Sequence, residues 1–461
     1  MTDDYDVVVL GGGSGGYSAA LRAAELGNTV GLIEADKVGG TCLHRGCIPT
    51  KALLHSAEVL DTVREAATYG VRATLEGIDH SAVAAHRNRV VTAMFRGLTG
   101  LIAGRGITVI DGFGTLSSPT SIEVSRPDGS TLTVTGRHLV IATGSAPREI
   151  PGVTVDHHAI ITSDDALTRE QPPASAIILG AGAIGCEFAS AWHSFGAQIT
   201  IVEACDELLP AEEPTSGTQL RTAFTRRGIT SITGMRVAAA TATADGAQVT
   251  LADGRSLTAE VVLVAIGRAP ATAGLGLEKV GVEIDRGYIV TDANGQTSVP
   301  GVHAVGDVIA TPQLAHAGFA EGILVAEAIN GRNPAPIDYT GVPRVTYSHP
   351  EVASVGLTST QAREQGHEII TATYDLAGNA RARILGAHGS VTVIAAADGP
   401  VLGVHMVGER AGDLISEAQL IVNWEARPDE VAPLIHAHPT MSEALGEAHL
   451  ALAGKPLHAH S

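Results

Sequence analysis

The chain has 461 residues, more than the roughly 250–300 at which a single hydrophobic core stops growing, so several domains are expected. Hydrophobic residues make up 44% of it and aromatics only 3%, which predicts largely aliphatic cores. A formal net charge of −19 argues against nucleic acid and against an anionic membrane surface as partners, because both require clustered Lys and Arg.

The first predicted strand, Tyr5 to Leu10, begins almost at once and leaves no room for a secretory or transit segment. No apolar run approaches the ~18 residues of a membrane span, and a cytoplasmic location is expected. The strand runs into Gly11-x-Gly13-x-x-Gly16, followed by a predicted helix from Ala19 to Leu26 and a strand ending at Glu34. Glycines in this pattern permit a tight turn and let the backbone approach a pyrophosphate at the helix N-terminus. The acidic residue closing the second strand then accepts a hydrogen bond from a ribose hydroxyl.

Next comes the stretch Gly39-Gly40-Thr41-Cys42-Leu43-His44-Arg45-Gly46-Cys47-Ile48-Pro49-Thr50-Lys51. With Cys186 and Cys205 the chain has only 4 cysteines, too few for a disulfide scaffold in a protein of this length. The spacing of Cys42 and Cys47 is wrong for a zinc ribbon, and no second Cys/His pair lies near enough to complete a tetrahedron. Pro49 reads as an early helix position, which puts Cys47 at a helix N-terminus, where the dipole and free N–H groups favour a thiolate. Cys42, one loop earlier, can close a disulfide with it.

A strand ends at Val140-Ile141-Ala142-Thr143-Gly144, and a second copy of the opening motif follows. Ala176 to Leu179 leads into Gly180-x-Gly182-x-x-Gly185, a helix, and a strand ending at Glu203. The spacing from Gly180 to Glu203 equals that from Gly11 to Glu34, and two copies in matching context are far more specific than one. Glu203 is followed by Ala204-Cys205-Asp206-Glu207, with no positive charge for a 2′-phosphate, so NAD is expected rather than NADP. Cys186 and Cys205, flanking elements of this second fold, read as small buried hydrophobes. No role is assigned to Glu212-Glu213-Pro214.

Strands at Val262 to Gly267 and Val302 to Asp307 resemble the closing strands of dinucleotide folds. From about Val342 the pattern becomes short strands (Ser390 to Ala395, Val401 to Val407) and then helices, an α+β tail without a nucleotide signature. Pro151-Gly152, Pro300-Gly301 and the segment from Gly331 to Pro336 are candidate boundaries. His349, before Pro350, reads as a satisfied loop histidine. Near the end, Thr440-Met441-Ser442-Glu443 has the form of a capping box before an apolar helix from Ala444 to Leu452, but Glu443 could equally fix the tautomer of His438. His436 and His438, like His458 and His460, lack an accompanying Cys or carboxylate cluster, so no metal is expected.

The stretch around Cys42 and Cys47 resembles the redox-active disulfide of the pyridine nucleotide–disulfide oxidoreductases. The similarity extends over essentially the whole chain: both glycine fingerprints, Ala142-Thr143-Gly144-Ser145, Gly306-Asp307 and His438-Pro439-Thr440-Met441-Ser442-Glu443. It implies an α/β protein with two Rossmann-like dinucleotide-binding domains plus a C-terminal α+β dimerisation domain. The implied boundaries are 1–149 for FAD and the disulfide, 150–270 for NAD, 271–341 for a central domain completing the FAD site, and 342–461 for dimerisation. FAD, one per subunit, tightly but non-covalently bound, would contact Gly11, Gly13, Gly16, Glu34, Thr41, Cys42, Lys51, Gly114, Thr143, Gly144 and Ser145. Asp307 would hold its ribityl chain, with Gln313, Leu314, Ala315 and His316 beneath the isoalloxazine.

NAD⁺/NADH would meet Gly180, Gly182, Gly185, Glu187, Glu203, Val237 and Gly267. Cys42 would exchange with substrate and Cys47 face the flavin, while Lys51 would pair with Glu187 near the flavin. His438, oriented by Glu443, would be the base, supplied across a homodimer. Within the family the match is to members oxidising protein-bound dihydrolipoamide with NAD⁺, partnered by a lipoyl-bearing acyltransferase or carrier protein. The His44-Arg45 pair departs from the Asn-Val common between the cysteines. The alternatives are another NAD(P)H-dependent disulfide reductase or a non-catalytic flavoprotein scaffold. Cys42, Cys47 and His438 are all present, which disfavours the scaffold.

Overall fold

The structure is a computed structural model that describes residues 2–458, and the chain divides into two compact units. The first comprises Met1–Ala52, Ser81–Arg148 and Arg268–Tyr339; the second comprises Leu53–His80, Glu149–Gly267 and Thr340–Ser461. Among the described residues no helix is long and apolar enough to cross a membrane.

In the first unit, β1 (Thr2–Leu10) lies at the middle of a seven-stranded sheet. Its run Val7-Val8-Val9-Leu10 is wholly buried. An unbroken apolar run, rather than an alternating one, suits a parallel strand covered on both faces. On one side β1 pairs in parallel with β2 (Val30–Glu34), which in turn pairs with Thr108–Asp111. On the other side it pairs with the long strand Thr131–Ile141. The C-terminal half of that strand takes Val302–Ala304 in parallel, while its N-terminal half continues into an antiparallel meander, Ser121–Ser125 and Phe113–Ser118. The helix after the first fingerprint, α1 (Ser14–Glu25), starts five residues earlier than the sequence suggests. Gly15 and Gly16 have poor helix propensity, but their burial lets tertiary packing override it.

The second unit holds a five-stranded parallel sheet in the order Thr230–Ile232, Gln198–Val202, Ser175–Leu179, Val261–Val264, Ile160–Ile161. A three-stranded antiparallel meander (Val237–Thr243, Gly246–Leu251, Ser256–Ala259) accompanies it. The tail forms a five-stranded antiparallel sheet, against which the helices Ala411–Asn423 and Glu443–Leu452 bury Ile415, Ala418, Ala444, Leu445 and Ala448. Glu212 and Glu213, unassigned from sequence, are ties between these parts. Glu213 accepts hydrogen bonds from the backbone and hydroxyl of Ser359, both at 2.8 Å, and Glu212 meets Arg344 at 3.1 Å.

Candidate functional site

The two glycine fingerprints build the same object twice. Gly11 and Gly180 both adopt φ +102°. A Cβ on Gly11 would lie 2.4 Å from the Ala142 carbonyl oxygen, and one on Gly180 would lie 2.5 Å from that of Ala265. Each first glycine is thus pressed against the end of a closing strand. The third glycine carries the close helix approach: a Cβ on Gly16 would stand 1.8 Å from the Gly11 oxygen, and on Gly185 2.1 Å from that of Gly180. At the middle glycines, Gly13 and Gly182, a Cβ would meet nothing within 4 Å. These residues are the extended N-caps of their helices, so each helix N-terminus opens onto free space of the kind a pyrophosphate fills.

The acidic residues do more than the sequence implies. One Glu34 oxygen accepts the Gly12 amide at 2.6 Å and the other the Asp36 amide at 2.8 Å. Glu203 repeats this with the amides of Ala181 at 2.7 Å and Cys205 at 2.8 Å. Each carboxylate therefore braces its own turn, and carboxylate oxygens retain lone pairs for a ribose hydroxyl. Gly185→Ala, with no room for its Cβ, is expected to destabilise the second unit by about 1–3 kcal/mol, read as a lower thermal midpoint. An unchanged midpoint would show that the turn can relax.

The cysteine segment packs against the first of these turns. The Gly39 amide bonds the Gly12 carbonyl at 2.7 Å, and a Cβ on Gly40 would stand 2.7 Å from the Gly13 Cα. Cys42 lies in a short helix, α2 (Gly40–Arg45), where the sequence suggested a loop, and Cys47 is the first residue of α3 (Cys47–Glu65), as Pro49 implied. The two side chains are hydrogen-bonded to one another as thiols. That bond, together with burial and the neighbouring charge of Cys47, pushes the Cys42 thiol far up, against the pull of Lys51. Cys47 is the member of the pair that sits at the helix N-terminus, where the dipole and free N–H groups favour a thiolate. The His44-Arg45 departure is absorbed locally: His44 Nε2 bonds the Val38 carbonyl at 2.9 Å, its ring stands edge-on to Phe95, and Arg45 pairs with Asp36.

Asp307, in the turn Gly306–Val308, accepts the Ser145 hydroxyl, which in turn accepts from Arg268 Nε at 2.7 Å. Thr143 donates to the Ala271 carbonyl at 2.8 Å, and Gly144 adopts φ +72° with open space at its Cβ position. Gly114 is packed inward, since a Cβ there would stand 2.5 Å from Leu10 Cδ1, so any ligand contact from it would use backbone atoms. Leu314 is the N-cap of the helix Ala315–Ile329, and His316 is exposed on its first turn. Gln313 Nε2 is buried and has no hydrogen-bond partner among the described residues. A buried orphan donor is costly unless a ligand satisfies it. Thr41 sits between Gly40 and Cys42 on α2.

In the second unit Glu187 is buried on the helix Ala183–Ser194, and Oε1 accepts the Tyr347 amide at 3.0 Å. Val237 opens the antiparallel meander, and Gly267 adopts φ +110° with space around its Cβ position. Lys51 and Glu187 belong to different units.

His438 and Glu443 form a dyad: His438 Nδ1 lies 2.8 Å from Glu443 Oε1, with the imidazole 71% exposed. The other Glu443 oxygen accepts the Thr440 amide at 2.8 Å, so one carboxylate serves both readings open in the sequence. The capping box is nonetheless incomplete, because the Thr440 hydroxyl turns to the Ala437 carbonyl and the N-cap is Ser442. Burial pushes Glu443 up, but the Thr440 amide, His438 and His436 outweigh it and hold the carboxyl below its usual range.

Several features lay beyond sequence reasoning. Tyr17, within α1, stands close to both thiols; burial first, then the charges of Cys42 and Cys47, push its hydroxyl up to about 12. Its position one residue past the third glycine was the only available signal. Cys186 is fully buried, but Cys205 is exposed and overturns the expectation of a small core residue. It follows the strand end at Glu203 in a bend that leaves the sheet, and both its backbone amide and its thiol engage the Glu203 carboxylate. His349 is an exposed loop residue whose amide bonds Ser190. Among the described residues no group of three or more His, Cys, Asp or Glu is gathered to hold a metal. His436 pairs with Glu417 and His458 with Glu447, each at 2.8 Å, while His460 lies outside the described residues.

Residues 5–322 match the family model described as pyridine nucleotide-disulphide oxidoreductase, and residues 342–449 match that family's dimerisation domain. A dihydrolipoyl dehydrogenase of Bacillus subtilis is 41% identical over 99% of this chain and 100% of its own length. A mitochondrial dihydrolipoyl dehydrogenase of Arabidopsis thaliana is 38% identical over 99% of this chain and 92% of its own. Among solved structures, LpdA from Mycobacterium tuberculosis superimposes with a TM-score of 0.90 at 29% identity, covering 98% of this chain and 99% of that one.

Proposed function

The chain belongs to the pyridine nucleotide-disulphide oxidoreductase family, and within it we propose that it oxidises protein-bound dihydrolipoamide to lipoamide with reduction of NAD⁺ to NADH. The observation that carries the reading is the hydrogen-bonded pair Cys42 and Cys47, seated at a helix N-terminus against an open dinucleotide cradle. The full-length dihydrolipoyl dehydrogenase relatives support the choice of dithiol.

FAD fits the first unit, where an open helix N-terminus, the braced Glu34 turn and the orphan Gln313 amide all await a partner. Gly11, Gly13, Gly16, Glu34, Thr41, Cys42, Lys51, Gly114, Thr143, Gly144, Ser145, Asp307 and the Gln313 to His316 segment would hold it. NAD fits the second cradle, through Gly180, Gly182, Gly185, Glu187, Glu203, Val237 and Gly267. The carboxylate of Glu203, with acidic neighbours, selects a free 2′-hydroxyl over a 2′-phosphate. Bound in the first unit, FAD would supply the two-electron acceptor for the cysteine pair and the hydride donor for NAD⁺.

The chain's own residues do the thiol chemistry. His438, held by Glu443, takes the proton from one dihydrolipoamide thiol. The resulting thiolate attacks Cys42 in the Cys42–Cys47 disulfide, a substrate–Cys42 bond forms, and Cys47 leaves as a thiolate stabilised by the α3 N-terminus. The second substrate thiol then closes lipoamide and releases Cys42, so the substrate loses two electrons and the cysteine pair gains them. Residues 1–149, 150–270, 271–341 and 342–461 would serve FAD, NAD, the completion of the FAD site, and dimerisation. Exposed Trp424, Leu434 and Ile435 in the tail, the last 99% exposed, supply apolar surface for a homodimer. A cytoplasmic dimer serving a lipoyl-bearing acyltransferase or carrier is the proposed setting.

The test is NADH formation by the FAD-loaded enzyme with dihydrolipoamide and with unrelated dithiols at equal concentration. Dihydrolipoamide should give the highest kcat/KM. Preference for another dithiol would reassign the substrate, and no turnover with any dithiol would leave a scaffold.

A further inference from the structure

In the first unit the strands Thr131–Ile141 and Val302–Ala304 pair in parallel, and each carries one histidine. The rings of His138 and His303 stand with centroids 5.8 Å apart, and His303 is only 5% exposed. Both ring nitrogens of His303, and Nδ1 of His138, are buried with no hydrogen-bond partner among the described residues. Buried polar groups are ordinarily paired, so these orphan nitrogens mark a weak spot inside the sheet. The two strands lead to the same place. The first runs on into Thr143 to Ser145 and the second into Gly306 and Asp307, the turns that would hold FAD, and the Ser145 hydroxyl donates to Asp307. Backbone bonds tie the strands up to that point: the Val305 amide meets the Ile141 carbonyl at 3.0 Å, and the Ala304 amide meets that of Gly295 at 2.9 Å.

We propose that His138 and His303 form an acid-sensitive latch: protonation of the pair loosens the two strands whose ends carry the FAD-holding turns, so the first unit gives up FAD in acid. The inference rests on the proposed FAD site. The titratable groups facing His303 are His138 on the neighbouring strand and Asp292 in the loop before Gln296, and Arg137 faces His138. Asp292 is committed to its own turn, where one carboxylate oxygen accepts the amides of Asn294 and Gln296, both at 2.9 Å. A proton on His303 therefore meets no acceptor and a second imidazole. Burial first, then the charge of His138, against the pull of Asp292, push His303 down to about 4, and burial with Arg137 pushes His138 down as well. The folded unit then binds fewer protons than the unfolded chain. Stability is complete above the ordinary histidine value of 6.5 and is lost as pH falls from there toward about 4.

The FAD-loaded full chain is melted at about pH 7.5 and about pH 5, above and within that window. Flavin fluorescence reports cofactor release, and circular dichroism reports unfolding. Wild type should release FAD at a lower temperature in acid. His303→Phe, which fills similar space without a titrating group, should shrink that acid shift by about 4 °C, the scale of one histidine held neutral in acid in a domain of this size. His138→Phe, which removes only the neighbouring charge, should shrink it less. Equal acid shifts in wild type and His303→Phe overturn the proposal and leave the two rings a packing contact. Should His303→Phe not fold, His303→Gln, also neutral, decides by the same criterion. A chain that holds no FAD even near neutral pH fails the cofactor reading instead, and its dichroism melts, compared in the same way, still decide whether the pair senses acid.

Discussion

Cys42→Ser is expected to lower NADH formation from dihydrolipoamide by at least about 10³-fold, the scale of losing a nucleophilic-catalysis residue. The substitution changes one atom, and a serine oxygen can neither join the Cys42–Cys47 disulfide nor form the bond to substrate sulfur. Burial and hydrogen bonding keep the Cys42 side chain on its packed helix, so the fold should survive. Cys47→Ser should be equally inactive for the same covalent reason. The two variants should still differ. Removing Cys47 takes away the group that pushes the Cys42 thiol up, leaving burial against the pull of Lys51, so Cys42 should ionise at lower pH than in wild type. Steady-state turnover with a thermal melt as folding control, plus alkylation rate against pH, measures both effects. Full activity in Cys42→Ser would remove the disulfide mechanism altogether.

His438→Ala is expected to cost about 10²–10⁴-fold in turnover, the range for a general base. The exposed imidazole contributes little packing, so its loss should leave stability nearly unchanged. The deficit should be largest near neutral pH and shrink as pH rises, because free dithiol then ionises without help. Glu443→Gln should be milder. An amide still bonds His438 but cannot stabilise its protonated form, and the Thr440 amide loses a charged acceptor. Turnover across pH with dihydrolipoamide checks this series, and a His438→Ala enzyme of normal activity at neutral pH would exclude the proposed base.

What the sequence determined by itself was local. The duplicated cradle was legible because Gly11 and Gly16, or Gly180 and Gly185, obey steric rules set within a few turns of chain. The placement of Cys47 at a helix start followed from Pro49, and the choice of NAD from the acidic run at Glu203. Residues meeting across long separations were another matter. Only the tertiary structure placed Tyr17 by the thiols, joined Val302–Ala304 to the first sheet, set His436 against Glu417, and left the Gln313 amide orphaned. It also divided the two oxygens of Glu443 between His438 and Thr440, and turned Cys205 outward. A motif records which conformations a few neighbouring residues can adopt. Which lone pair meets which donor, and which thiol sees water, depends on packing between segments that no local pattern encodes.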